Sequence, residues 1–346
     1  MVNAMKDVKD VGEFRKTFQK RNFYTMKDSC SVFIWALLLP LLVGFIFCYV
    51  SMFIAIQSGQ IAPDTENVIY VMFDKFLWFS IPFMLLTQIV FAGIYLLYHK
   101  VSRVSFKASN IHFKKTNWLT AILSCVAGIV CVLGFVWLIE GCFGRLFEVL
   151  GINSSGVGFN PTSWGSYIGC MVMLGVVPAI CEELLFRGII FQGLKEKYSK
   201  WTAILISALL FALVHQNIEQ FIYPFILGVV FAVLLERTNN LIYPILMHMF
   251  NNFTTITMSF MANMGVINLD FSITWWFVLI AIAVAGVTFA ILFVVDKFYL
   301  QKRKPVEVEK AGEVVQTPPL MVKKVPLSLI LGIGLAVVLF VINLFS

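Results

Sequence analysis

Long apolar runs alternating with short polar segments dominate this chain from residue 31 onward. The runs cover about 31–57, 76–98, 118–140, 163–194, 201–216, 219–236, 241–263, 271–295 and 326–345. A hydrocarbon core of roughly 30 Å is crossed by about 20 helical residues at 1.5 Å each. Lipid also obliges a spanning segment to satisfy its own backbone, as a helix does. The pattern predicts an all-α fold, a polytopic transmembrane helical bundle of about 8–9 spans. The fourth run, 163–194, is longer than a bilayer needs, which predicts tilt, a kink near Pro178 or an interfacial last turn.

The polar segments orient the runs. Residues 1–30 carry seven Lys/Arg against four acidic residues, and 99–117 carries Lys100, Arg103, Lys107, Lys114 and Lys115 with no acid. The segment 297–325, broken by Pro305, Pro318 and Pro319, holds seven more basic residues. The loop 58–75 is acidic, with Asp64, Glu66 and Asp74 against Lys75. Positively charged loops stay inside, so the N-terminus is expected in the cytosol and the C-terminus outside. The organisation expected is a cytosolic segment 1–30, spans one to three over 31–140 and a glycine-rich external loop 141–163. A core over 164–263 follows, then span eight over 271–295, a cytosolic linker 297–325 and a last span 326–345.

Composition agrees: 60% of the residues are hydrophobic and 13% charged, against about 25% charged in soluble domains. The net charge of +7 lies in the inter-run segments and shows no basic stripe interleaved with aromatics, so no nucleic-acid partner is expected. The seven cysteines contain no CxxC pair and read as small apolar packing residues. Residues 1–30 are too polar for a cleavable signal, so span one is expected to act as an uncleaved anchor in an integral membrane protein. The bilayer is the one partner composition demands, and the span faces do not fix an oligomeric state.

Well inside the apolar runs, the charged and His residues are Glu182, Glu183, Arg187, His215 and His248, all within 164–263. A single Asp, Lys or Arg costs roughly 2.5–3.5 kcal/mol at a helix centre on insertion scales, so a group of such residues asks for a use. Glu183 and Arg187 share a helix face and can pair, while Glu182 points about 100° away. Phe211 with His215, and His248 with Asn252, stand at the same i,i+4 spacing. Counting about 1.5 Å per residue from the basic ends puts Glu182 and His215 roughly 20 Å deep and His248 roughly 12 Å deep. One carboxylate, two imidazoles and an amide in a wet cavity suggest hydrolysis, with Glu182 as general base and His248 and Asn252 as oxyanion donors. Glu182, His215 and His248 also have the composition of a zinc site with an open position for water. Metal-bound and carboxylate-activated water both stay open.

The set Glu182-Glu183-x-x-x-Arg187, Phe211-x-x-x-His215 and His248-x-x-x-Asn252 resembles the CPBP intramembrane proteases. That family joins the type II CAAX prenyl endopeptidases to bacterial proteins linked with bacteriocin processing and self-immunity. The resemblance covers 164–263. It implies Glu182 as the catalytic carboxylate, His215 as its partner or a metal ligand, and His248 with Asn252 as oxyanion stabilisers or ligand and support. Glu183 and Arg187 complete the first motif. The expected activity is endopeptidase cleavage of a membrane-associated peptide or protein near the cytosolic leaflet, in a bacterial plasma membrane. Two other classes are weighed beside it: an immunity or partner-binding protein without turnover, and a proton- or cation-coupled carrier using the same polar groups. The absence of an internal repeat speaks against the carrier.

Overall fold

The computed structural model describes residues 20–66, 68–75, 77–133, 161–216, 219–267 and 326–345, with isolated positions between 279 and 290. Most of the expected cytosolic segment 1–30, residues 134–140 of span three, most of the expected loop 141–163, most of span eight and all of the linker 297–325 lie outside the described residues. The described chain is helical: α1 Met26–Gln57, α2 Leu77–Val101, α3 Trp118–Cys131, α4 Trp164–Leu194, α5 Lys200–Val214, α6 Glu219–Thr238, α7 Ile242–Asn263 and α8 Leu327–Phe345. A short helix, Val68–Lys75, precedes α2.

Among the described residues, four helices are long and apolar enough to cross a membrane: Met26–Gln57, Phe79–Val101, Trp164–Leu194 and Phe221–Thr238. This is fewer than the 8–9 expected. Helices α3 and α5 and the stretch Leu327–Leu339 are apolar but shorter. Helix α7 has the length, at 22 residues, but spends it on His248, Asn251, Asn252 and three threonines. The long helices leave apolar side chains uncovered. Phe45, Tyr49 and Phe53 on α1 are each more than half exposed, which is costly in water and neutral in hydrocarbon.

Helix ends follow local chemistry. Helix α1 begins five residues before the apolar run because Thr25 and Asp28 form a reciprocal capping box. Asp28 also receives Arg21 at 2.8 Å and the Tyr98 hydroxyl. Ser199 caps α5 through the Thr202 N–H. That helix stops at Gln216, whose φ of 50° takes the left-handed turn that ends helices. Asn240 pins the loop after α2 to the start of α7: it donates to the His112 carbonyl at 3.1 Å and accepts from the His112 N–H at 3.1 Å.

The core is built by α4, α5, α6 and α7, with α2 and α3 on its flanks and α8 against α1 and α5. Close approach rests on small residues, as is usual between membrane helices. A Cβ at Gly128 of α3 would lie 2.3 Å from the Met247 carbonyl oxygen and 3.0 Å from the Asn251 N of α7. Both are backbone atoms held in a helix and cannot swing aside. Gly128→Ala is expected to lower stability by about 1–3 kcal/mol, although Ala is the better helix former by roughly 1 kcal/mol. Thermal unfolding in detergent reads the sign, and a raised midpoint would contradict the packing.

Candidate active site

The site begins with a proline. Pro178 in α4 has no N–H for the carbonyl of Leu174, and its ring crowds that carbonyl. The helix answers by widening to π-type turns over Met171–Val176, so the expected disturbance near Pro178 is a local unwinding. The released Leu174 carbonyl accepts from Asn252 Nδ2 of α7 at 3.0 Å. A second π-type stretch, Leu184–Ile190, follows directly after the two glutamates. Such widened turns are frequent at functional sites. Here they bracket the one regular stretch, Val177–Glu183, that carries Glu182 and Glu183.

The two carboxylates lead separate lives. Glu183 and Arg187 are fully buried, and Arg187 Nη1 donates to Glu183 Oε1 at 2.7 Å. The same oxygen lies 3.1 Å from His248 Nδ1. The guanidinium sits over the Phe211 ring at 4.2 Å and the Phe231 ring at 5.2 Å, a placement that recovers cation–π attraction in a dry site. Room for it comes from Gly228 of α6, where a Cβ would stand 3.3 Å from Arg187 Nη2. Phe231 also stacks on His248, with centroids 5.1 Å apart and planes at 25°. An ionised Glu183 accepts from His248 Nδ1–H, which fixes the tautomer and turns Nε2 outward. That Nε2 is 3.9 Å from Glu182 Oε2.

Glu182 is only partly buried. It lines a cavity of about 290 Å³ with His215, Gln88, Thr87, Phe211 and Leu174 among the walls. Its Oε1 accepts from Gln88 Nε2 of α2 at 2.9 Å. Gln88 is 7% exposed, and its Oε1 is buried with no protein partner. His215, the residue closing α5, has Nδ1 2.9 Å from the Phe211 carbonyl oxygen. Donation there leaves its Nε2 as the open nitrogen. Glu182, His215 and His248 are thus brought together around Phe211, whose ring meets both imidazoles edge-on at 5.0 and 6.1 Å.

Asn252 stands differently. Its amide serves Leu174, and its Oδ1 accepts from Asn251 Nδ2 at 3.2 Å. Asn251 in turn accepts from the Tyr223 hydroxyl of α6. This relay ties α4, α6 and α7 together at the widened turn.

Among the described residues, no group of three His, Cys, Asp or Glu side chains could hold a metal ion. Glu182 and His248 approach each other, but no third donor of these types completes the set. Among the described residues, the donors as placed do not fit a three-ligand zinc centre.

Two site residues lie outside the sequence motifs. Gln88 is an uncharged amide in an apolar run, and a search for ionisable groups passes over it. The signal was present all the same, since a buried amide at membrane depth needs partners as a charge does. Phe231 gives no signal, being one of 34 phenylalanines.

Residues 164–254 match the family described as Type II CAAX prenyl endopeptidase Rce1-like. The chain is 32% identical over 138 residues to YdiL of Bacillus subtilis, a candidate membrane peptidase by name; the match takes in 36% of this chain and 56% of that protein. It is 36% identical over 77 residues to YxdF of Lactococcus lactis, covering 22% of this chain and 42% of YxdF. A 24.3 kDa protein of Escherichia coli is 31% identical over 84 residues, with 39% of its length covered. The chain thus spans about half the length, or somewhat less, of the curated relatives it matches. No solved structure matches it. The matched segment contains Glu182, Glu183, Arg187, Phe211, His215, His248 and Asn252. Through residues 164–254, this chain of long apolar helices is thus similar to the Rce1-like type II CAAX prenyl endopeptidases and, in part, to a membrane peptidase by name.

Proposed function

We propose that the chain is an intramembrane endopeptidase in which Glu182 activates the attacking water. The observation that carries this reading is the division of labour between adjacent carboxylates. Glu183 is buried and committed to Arg187 and His248, whereas Glu182 faces a cavity shared with His215. A separation of 3.9 Å between Glu182 Oε2 and His248 Nε2 is too long for a direct hydrogen bond and short enough for both atoms to bind one water. In this reading Glu182 Oε2 takes a proton from that water as its oxygen attacks the scissile carbonyl carbon. The proton then passes to the departing amine nitrogen as the C–N bond breaks. His215 and His248 stabilise the oxyanion or hold the water. Asn252, committed to the Leu174 carbonyl, keeps the widened turn of α4 against α7.

The substrate class is a membrane-anchored peptide or protein entering in an extended form. A cavity of about 290 Å³ is at the small end of ligand sites, which run from roughly 300 to 1,000 Å³. It takes a peptide group and a side chain or two, not a folded segment. We place the cleavage near the cytosolic leaflet of a bacterial plasma membrane, with the N-terminus cytosolic. The shorter apolar helices and α7 count as further crossings of an eight- or nine-span bundle, by the charge pattern of the connecting segments.

The test is cleavage of membrane-anchored peptides by the full chain reconstituted in liposomes, with products identified by mass spectrometry. Gln88→Leu tests the arrangement around the base. Removing the donor to Glu182 Oε1 loses a charge-assisted hydrogen bond worth about 1.5–3 kcal/mol, so cleavage is expected to fall by about tenfold to a hundredfold. Unchanged turnover in Gln88→Leu would remove Gln88 from the site.

A further inference from the structure

A second cavity, of about 610 Å³, opens at the C-terminal end of α2 and is lined by Lys20, Leu96, His99, Lys100, Arg103 and Phe106. It shares no lining residue with the cavity at Glu182. We propose that it binds the phosphate-bearing headgroup of an anionic lipid, with the acyl chains running along the exposed side of α2.

The cations are assembled by backbone pairing. Arg21 N donates to the Arg103 carbonyl at 3.1 Å, and Ser105 N donates to the Arg21 carbonyl at 2.8 Å. This short parallel bridge lays the segment before α1 along the turn after α2, and so brings Lys20 to Lys100 and Arg103. All three side chains are exposed. None of the six lining residues is acidic. Asp28, the acid on the first turn of α1, is engaged by Arg21 and Tyr98.

The floor is rigid and uncharged. Tyr95 donates to Ser109 Oγ at 3.0 Å, and Ser109 Oγ lies 2.7 Å from the Tyr24 hydroxyl. That hydroxyl is 2.7 Å from His99 Nε2, and His99 Nδ1 is 2.8 Å from the Tyr95 carbonyl oxygen. Burial pushes the Tyr24 phenol up, keeping it a donor. One direction of donation satisfies every member: Ser109 to Tyr24, Tyr24 to His99 Nε2, and His99 Nδ1–H to the carbonyl. His99 is then neutral, so the positive charge lies on the rim alone. Its ring stacks on Phe106, with centroids 4.4 Å apart and planes at 15°.

The apolar flank separates a lipid from free phosphate. Leu96 and Leu97 are 57% and 61% exposed on a helix long enough to cross a membrane, and Phe106 is 48% exposed. Cations at the end of a membrane helix beside uncovered apolar side chains match the two halves of an anionic phospholipid. Inorganic phosphate would use only one half.

The experiment is native mass spectrometry of the full chain in detergent, titrated with phosphatidylglycerol and, separately, phosphatidylcholine. One phosphatidylglycerol per chain is expected, bound in preference to phosphatidylcholine and released as salt rises. Each surface cation contributes roughly a fivefold factor, so K100Q/R103Q is expected to bind phosphatidylglycerol about 30-fold more weakly. Equal retention of the two lipids, or an unchanged affinity in K100Q/R103Q, overturns the proposal. Full displacement of phosphatidylglycerol by millimolar inorganic phosphate also overturns it, by assigning the cations to the free ion. If the double variant does not fold, K20Q and the salt dependence of the unaltered chain decide, and retention insensitive to both counts against the site. No peptide cleavage enters these readouts.

Discussion

Glu182→Gln is expected to reduce peptide cleavage by about a hundredfold to ten-thousandfold, the range of a lost general base. The substitution is nearly isosteric, and the amide oxygen can still accept from Gln88 Nε2, now found 2.9 Å from Glu182 Oε1. What disappears is the capacity to take a proton from water. Glu182 is partly buried, and among the described residues its ion-pair-range neighbour is the His248 imidazole at 3.9 Å. Unfolding in detergent should therefore move by no more than about 1 kcal/mol, as for substitutions that break no buried pair. Loss of cleavage with intact folding is the expected pattern, read by product analysis and thermal unfolding on the same preparation. Cleavage kept at the parent rate would take the base away from Glu182.

The largest stability effect is expected at Arg187. Its Nη1 donates to Glu183 Oε1 at 2.7 Å with both side chains fully buried. Arg187→Met leaves that carboxylate in a dry core with His248 as its remaining partner. Breaking a buried pair from one side costs about 3–5 kcal/mol. The double change E183Q/R187M removes both charges and is expected to recover most of the loss, because the Phe211 and Phe231 rings that hold the guanidinium also accept a thioether. Denaturant unfolding of the single and double variants forms the cycle. A single variant as stable as the parent would mean that the pair does not hold the core.

These two effects separate what the residues themselves foretell from what only packing supplies. The i,i+4 spacing of Glu183 and Arg187, with Glu182 turned away, follows from helical geometry, and the structure has that pair. The depths estimated for Glu182, His215 and His248 along three helices are compatible with one meeting point; Glu182 and His215 line one cavity, and His248 Nε2 stands 3.9 Å from Glu182 Oε2. Span five was legible to within two residues, between the Ser199 cap and the left-handed Gln216, whereas α1 starts five residues ahead of its apolar run at the Thr25 capping box. The number of long crossings was not legible. Helix α7, for one, dilutes its apolarity with the groups the site uses.

The use of Asn252 was hidden for a different reason. Its i,i+4 relation to His248 suggested a shared task, yet its amide meets the Leu174 carbonyl, 78 residues earlier in the chain and released by Pro178. Gln88 and Phe231 come from helices outside the three motifs, and only tertiary packing brings them to Glu182 and Arg187.

The decisive measurement is a single-turnover cleavage of a membrane-anchored peptide in water enriched in oxygen-18, with the full chain reconstituted in liposomes. The unaltered chain is predicted to release a fragment whose new carboxyl group carries one heavy oxygen, and Glu182→Gln to release none above background. Absence of any fragment from the unaltered chain across a broad set of anchored peptides, or equal release by Glu182→Gln, would contradict peptide hydrolysis by a Glu182-activated water.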